Sequence, residues 1–258
     1  MYSPLCAILI IAMFEQTQLL THLNDFQRIL KTYKPSLELL DLLHDNKFVL
    51  LAAPTAAGRN TIIRNLIMTG KYYYVVSDTT RRPRINNGIP ETNGNEYWFK
   101  TEEEFLQGLK NGAYVEAAII HNQQVSGVSL EELRKASQTG TVAITDIDIH
   151  GCDTIKSYSD GTIPVFILPP AFPEWMRRLD GRGAMDPQEK RRRLTSAAEE
   201  IELALQRSYF RFIVNWDLRV TVDALHQHIT TGEFGELEQA NAHTHAEQLL
   251  TDLSTYLR

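Results

Sequence analysis

Residues Leu50 to Leu66 read LLAAPTAAGRNTIIRNL, a buried-strand pattern that passes through small residues into a helical pattern. Small residues at such a turn let backbone N–H groups converge, and the head of the following helix favours an anion. A cation and a polar side chain at the start of that helix would meet outer phosphate oxygens and a magnesium ion. The spacing G-x-x-x-x-G-K-[ST] falls on Ala53, Gly58, Arg59 and Asn60, so three of the four signature positions are changed. Ala53 would cost about 1 kcal/mol if the backbone there needed positive φ. Arg59 keeps the charge on a bulkier planar fork. Asn60 offers a carboxamide oxygen where a hydroxyl is the usual magnesium ligand. By itself the segment also fits any strand-to-helix turn rich in small residues.

A second group follows. SDTTRRPR (77–84) sets Arg81 and Arg84 beside hydroxyl side chains at a strand exit, and the guanidinium fork matches phosphate geometry. An isolated arginine cluster of this kind is ordinarily a solvated turn. Here, however, the segment resembles the S-x-T-T-R-x-P-R of the guanylate kinase family, at the same distance past the phosphate loop. The resemblance runs in the family's order over about 170 residues, Phe48 to Asp217. NEYWF makes Tyr97 the phosphate-contacting tyrosine, and AYVEAAIIH makes Glu116 the guanine reader, a carboxylate facing the N1–H and N2–H donors of that base. ITDIDIHG is similar to the family's L-D-I-D-x-Q-G, which implies Asp148 near guanine or ribose and Asp146 near the metal through water.

MRRLDGRGAMDPQEKRRRL (176–194) resembles the family's arginine-bearing lid and implies lid roles for Arg178, Arg182 and Arg193. Such cations suit phosphoryl transfer, where catalysis is positioning plus stabilisation of charge spread over the transferring oxygens. FIVNWD resembles V-I-V-N-D-D and implies an adenine-side contact for Asn215. Two departures accompany the altered loop: VSGVS keeps Gly127 but lacks the family's phosphate-binding tyrosine, and one residue is inserted after His121, which leaves the role of Ser129 open.

The resemblance therefore implies a guanylate kinase that transfers the γ-phosphoryl of ATP to GMP with Mg2+, at reduced activity. The ATP phosphates would rest on Ala56, Ala57, Gly58, Arg59, Asn60 and Thr61, with Asn215 beside the base. GMP would be held by Ser77, Arg81, Arg84, Tyr97, Glu116, Ser129 and Asp148. Magnesium would meet Asn60 and, through water, Asp146. Two alternatives stand beside this one: a catalytically inactive module that binds GMP or a protein partner, and a kinase for another phosphorylated substrate such as a ribose bisphosphate. Glu116 and the arginine segment weigh against the last.

The elements that must position these residues follow from hydrophobic periodicity. KFVLLAA (47–53), YYYVVS (72–77), TVAITDID (141–148), TIPVFIL (162–168) and RFIVN (211–215) read as short strands rich in β-branched or aromatic residues. Helical stretches at 61–68 and 187–208 alternate with them, which predicts an α/β fold of the P-loop type around a mostly parallel sheet. Turn-rich sequence between Arg81 and Ser129 predicts a small mixed insertion, the GMP-binding region at 77–129. Residues 17–45 predict a helical hairpin broken at Pro35 and Ser36, and 235–258 predict one amphipathic helix. The expected organisation is an extension over 1–46, a main domain over 47–231 with a lid at 176–194, and a C-terminal helix over 232–258.

Composition excludes several classes. With 43% apolar and 22% charged residues the chain is of ordinary globular make-up, and a net charge of −6 argues against a general nucleic-acid binder. Two cysteines are too few for a disulfide framework or a zinc site and fit a reducing, cytoplasmic setting. The apolar run Pro4–Phe14 is eleven residues long, short of the roughly 20 needed to span a bilayer. It reads either as a signal segment or as sequence ahead of a true start at Met13. The pairs His226/His228 and His243/His245 have i,i+2 spacing, which points their rings to different sides of a helix and does not make a metal site.

Overall fold

The structure, a computed structural model, describes residues 19–86, 88–181, 183 and 185–258. The apolar run Pro4–Phe14 and Arg182 lie outside the described residues. In chain order the elements are α1 (Leu23–Leu30), α2 (Leu37–Asp45), β1 (Phe48–Ala52), α3 (Arg59–Met68), β2 (Tyr72–Tyr74), β3 (Asp78–Thr79), β4 (Ile85–Asn86), β5 (Ile89–Pro90) and β6 (Trp98–Phe99). They continue with α4 (Glu102–Lys110), β7 (Tyr114–Ile120), β8 (Gln124–Ser129), α5 (Leu130–Thr139), β9 (Val142–Asp146), α6 (Ile149–Lys156) and β10 (Thr162–Leu168). Last come α7 (Phe172–Asp180), α8 (Pro187–Leu205), β11 (Arg211–Val214), α9 (Leu218–Thr231) and α10 (Glu236–Leu257). The chain folds as two compact units, one of residues 19–39 and 76–131, the other of 40–75 and 132–258.

In the second unit the five strand-like runs of the sequence become one parallel sheet in the order β11-β10-β1-β9-β2. Central β1 is buried along its whole length, as its unbroken apolar sequence demands of a strand covered on both faces. One face carries Val49, Leu51, Ile144, Val165, Ile167 and Ile213, packed by Ile62, Ile63 and Leu66 of α3 and Leu225 and Ile229 of α9. On β10, Phe166 meets Phe210 and Phe212 edge-on, each with centroids 5.8 Å away.

The amphipathic C-terminal stretch is a single helix, α10, with Ala242, Ala246, Leu249 and Leu253 buried at helical spacing. It lies along β11, the edge of the parallel sheet. Gln239 treats that edge as a partner strand would: its Oε1 accepts from Phe212 N at 2.8 Å and its Nε2 donates to Phe212 O at 3.0 Å. An open strand edge is thereby blocked by one side chain.

The first unit holds the mixed insertion, a four-stranded sheet in the order β6-β3-β8-β7 and the small ribbon β4-β5. Its core joins α1 to α4 and β7. Phe105 lies edge-on to Phe26 at 6.2 Å and stacks on Tyr114 at 4.2 Å. The Tyr33 hydroxyl donates to Tyr114 O at 2.6 Å and accepts from Tyr114 N at 2.8 Å. Helix α4 starts at a capping box, Thr101 and Glu104 each bonding the other's backbone amide. The hairpin break falls at Pro35 and Ser36 as the sequence predicts, yet its first helix, α1, is core of this unit rather than an appendage.

Deleting the edge cover tests the role of Gln239. Gln239→Leu keeps the bulk but strands one buried donor and one acceptor on Phe212, so equilibrium urea unfolding is expected to show a loss of about 2 kcal/mol.

Candidate functional site

The loop 53–58 leaves the C-terminal end of β1 and enters α3, the place where an open parallel sheet binds ligands. Its left-handed residues are Ala56, φ +62°, and Gly58, φ +96°. Ala53 is not among them, so the strain expected at the first altered position does not arise there; it falls on Ala56. Helix α3 begins at Arg59 without a side-chain cap; Thr61 N donates back to Gly58 O at 3.0 Å, and the Arg59 and Asn60 amides stand at the open head of the helix.

Two side chains hold the loop from behind. Trp175 of α7, fully buried, donates its indole N–H to Thr55 O at 2.8 Å. Asn215, next after β11 and 3% exposed, donates Nδ2 to Ala57 O at 2.8 Å. A Cβ on Gly58 would fall 2.4 Å from that same Nδ2, so glycine is required on both steric and conformational grounds. Asn215 Oδ1 is enclosed and meets no donor among the described residues. Neither anchor is part of the P-loop spacing, and Trp175 has no signature by which the sequence could assign it this duty.

The charges at the head of α3 are organised around Asp146, the last residue of β9. Arg59 Nη2 donates to Asp146 Oδ2 at 2.7 Å, and the Tyr74 hydroxyl donates to Asp146 Oδ1. Arg59 Nε reaches Asn60 Oδ1 at 3.5 Å. The guanidinium has five N–H groups, so this pairing does not exhaust it. Each Asp146 carboxylate oxygen thus accepts one hydrogen bond, from Arg59 or from Tyr74. No group of three or more His, Cys, Asp or Glu that could hold a metal occurs among the described residues.

Asp148 caps α6, accepting from Gly151 N at 2.7 Å. Glu200 of α8 joins the same charge field. Its carboxyl is pushed up to about 7, chiefly by burial; the Arg59 charge lowers it, and the Asp148 and Glu199 charges raise it. The sequence offered no motif for Glu200 or Tyr74. Helical and strand periodicity alone could have aligned them with the site.

Among the lid residues, Arg178 Nε donates to Glu174 Oε1 at 3.0 Å and Nη1 to Asn215 O at 3.2 Å. Arg177 and Arg178 together hold the Glu174 carboxyl down at about 2. Arg193 pairs with Glu189 at 2.7 Å on the exposed face of α8. The structure thus brings Arg178, but not Arg193, onto the segment that supports the loop.

In the first unit, Arg81 is 10% exposed and forms a two-point pair with Glu91, Nη2 to Oε1 at 3.0 Å and Nη1 to Oε2. Its guanidinium carbon lies 4.6 Å from the Tyr97 ring centroid and 5.6 Å from that of Phe99. Arg84 is exposed, with its backbone N–H given to Glu91 Oε2 at 2.8 Å. Ser77 precedes β3, and its carbonyl accepts from Trp98 N at 2.9 Å. Glu116 lies on β7 at a bulge, opposite Val128, while Ser129 is buried and pairs with Tyr114. Gly127 lets the hairpin close, because a Cβ there would come within 2.5 Å of Glu116 O. At the turn of the β7–β8 hairpin, His121 and Asn122 have φ of +52° and +58°.

The histidines of the first pair each have a hydrogen-bond partner. His226 bonds Tyr72 OH at 2.7 Å, and His228 bonds Glu233 O at 2.6 Å.

A profile of the family described as Guanylate kinase matches residues 45–232. Guanylate kinase of Bifidobacterium longum is 34% identical over 177 residues, 67% of this chain and 87% of that protein. Guanylate kinase of Corynebacterium efficiens is 33% identical over 181 residues, 69% of this chain and 92% of that one. The crystal structure of guanylate kinase from Anaplasma phagocytophilum aligns with a TM-score of 0.54 at 26% identity, covering 75% of this chain and 89% of that chain.

Glu200 makes stability pH-dependent in a stated direction. Its carboxyl rises from an ordinary 4.5 to about 7 on folding, so the native state binds the extra proton. That contribution is fully present below pH 4.5 and is lost as pH rises through 7. Glu200→Gln is expected to flatten this part of the stability–pH curve, by on the order of 2 kcal/mol, in urea titrations across the window.

Proposed function

Since the chain belongs to the guanylate kinase family, we propose that it is a nucleoside monophosphate kinase that moves the γ-phosphoryl of ATP to GMP, giving ADP and GDP. The observation that carries this reading is the supported loop. With the Thr55 and Ala57 carbonyls tied back by Trp175 and Asn215, the amides at the head of α3 remain as anion donors despite the changed side chains.

On this reading the ATP phosphates rest on the backbone of Ala56 to Thr61, and Arg59 contributes the N–H groups that its Asp146 pair leaves over. Asn60 and Asp146 meet the magnesium that arrives with ATP, the latter through water. Asn215 has an acceptor to offer on the adenine side, which suits an exocyclic amine. GMP is held through Ser77, Arg81, Arg84 and Tyr97 at its phosphate. Glu116 selects guanine, with Ser129 and Asp148 assisting. Glu91 and two aromatic rings fix the plane of Arg81, so its charge is delivered at one place.

A GMP phosphate oxygen attacks the γ-phosphorus as the bond to the β-phosphate oxygen breaks. Arg178, Arg182 and Arg193 are assigned to the charge on the transferring group, and lid closure to the exclusion of water. No side chain need act as a strong base. A cytoplasmic location agrees with the substrates, and no helix among the described residues is long and apolar enough to cross a membrane.

A second reading, a module that binds GMP or a protein partner without turnover, draws support from the Arg59–Asp146 pair, which spends part of the loop's cation internally. A coupled assay with ATP, magnesium and GMP separates the two. Turnover is expected, below that of Arg59→Lys and at least tenfold above that of Arg59→Ala. Absence of turnover in protein that still binds GMP by calorimetry would establish the module instead.

A further inference from the structure

Trp216 stands at the position after Asn215 with 59% of its surface exposed, at the C-terminal end of a sheet strand. The carboxyl ends of parallel strands are where open α/β sheets bind ligands. The ring is not loose. His245 of α10 lies against it, with centroids 5.2 Å apart and planes at 52°. His245 is itself held through Nε2 to Pro169 O at 3.0 Å. The Trp216 backbone is held too, since Arg178 reaches its carbonyl through Nη2 at 3.5 Å and that of Asn215 at 3.2 Å.

Trp216 borders a groove of about 890 Å³ that Val220, Leu237 and His245 also line. The charged side chains along this groove are the acids Asp217 and Glu238, and its described lining includes no Lys or Arg. Such a groove repels phosphate and admits a neutral, flat, partly apolar group. One residue away, Asn215 is bonded to the phosphate loop at Ala57, so a nucleotide whose phosphates rest on the loop has its base as the neutral end nearest Trp216.

We propose that Trp216, backed by His245 of the C-terminal helix, is the stacking platform for the adenine base of the phosphoryl donor. This rests on the kinase reading and adds to it. Helix α10 lies beyond the 45–232 span that matches the family, so this donor site would draw on a segment outside that match. His245 touches no nucleotide; it is a positioning residue that fixes the ring.

The test is calorimetric titration of the full chain and its variants with ADP, and with inorganic tripolyphosphate as a probe that has no base. Trp216→Ala is expected to weaken ADP about tenfold and leave tripolyphosphate unchanged, since stacking on an aromatic side chain acts on the base alone. Trp216→Phe should recover most of the ADP affinity, and His245→Ala should fall between. ADP, but not tripolyphosphate, should quench the indole emission of the wild-type chain, and Trp216→Phe should remove most of the quench. Equal ADP affinity in wild type and Trp216→Ala overturns the proposal while leaving the kinase reading intact. Equal losses for ADP and tripolyphosphate overturn it as well, because the ring would then only support the loop. A wild-type dimer that Trp216→Ala converts to monomer in light scattering would assign the ring to a self-interface. Failure of the folded wild type to bind either probe would remove the kinase reading together with this one.

Discussion

The carbonyls of Thr55 and Ala57 are held from behind, and the site depends on that constraint. A peptide has an acceptor on one side and a donor on the other. Hydrogen bonds from the Trp175 indole and the Asn215 amide therefore do more than fasten a loop. They fix which way its peptides turn, and so leave amides for an anion at the mouth of α3. The anchors come from helix α7 and from the end of β11, elements far apart in the chain. Both are brought to the loop by the parallel order of the sheet. Gly58 completes the arrangement, since any side chain there would displace the Asn215 amide.

The same geometry bears on the altered side chains of the loop. A backbone cradle is indifferent to the loss of a glycine at position 53, where the backbone takes an ordinary conformation. The cation is less indifferent. Arg59 is drawn to Asp146, which Tyr74 also bonds, while Glu200 lies buried within reach of its charge. This network neutralises the guanidinium in part and aims it along the end of the sheet. A lysine point charge would satisfy one acceptor at a time, whereas the fork can keep Asp146 and still donate elsewhere.

In the other unit, charge is handled by enclosure. Arg81 lies between two aromatic rings and a two-point carboxylate partner, so its orientation is set before any ligand arrives. The insertion is stiffened by the packing of α1 against α4 and β7, through Phe26, Phe105 and Tyr114. The N-terminal helix is for this reason part of the binding unit's core.

Much of the fold was legible in the sequence. The five apolar runs became the five parallel strands, the break at Pro35 and Ser36 fell where its backbone chemistry required, and the C-terminal leucines formed one helix. These are local features, because the period of side-chain burial and the φ limits of proline act within a few residues of themselves. What the tertiary structure alone decided is which partner each polar group takes. Asp146 for both Arg59 and Tyr74, Trp175 for Thr55, and His245 for Trp216 are pairings between distant positions, set by strand order and helix packing. A hydrogen bond between remote residues is worth little until the fold has met the entropy of bringing them together, so no local pattern encodes it.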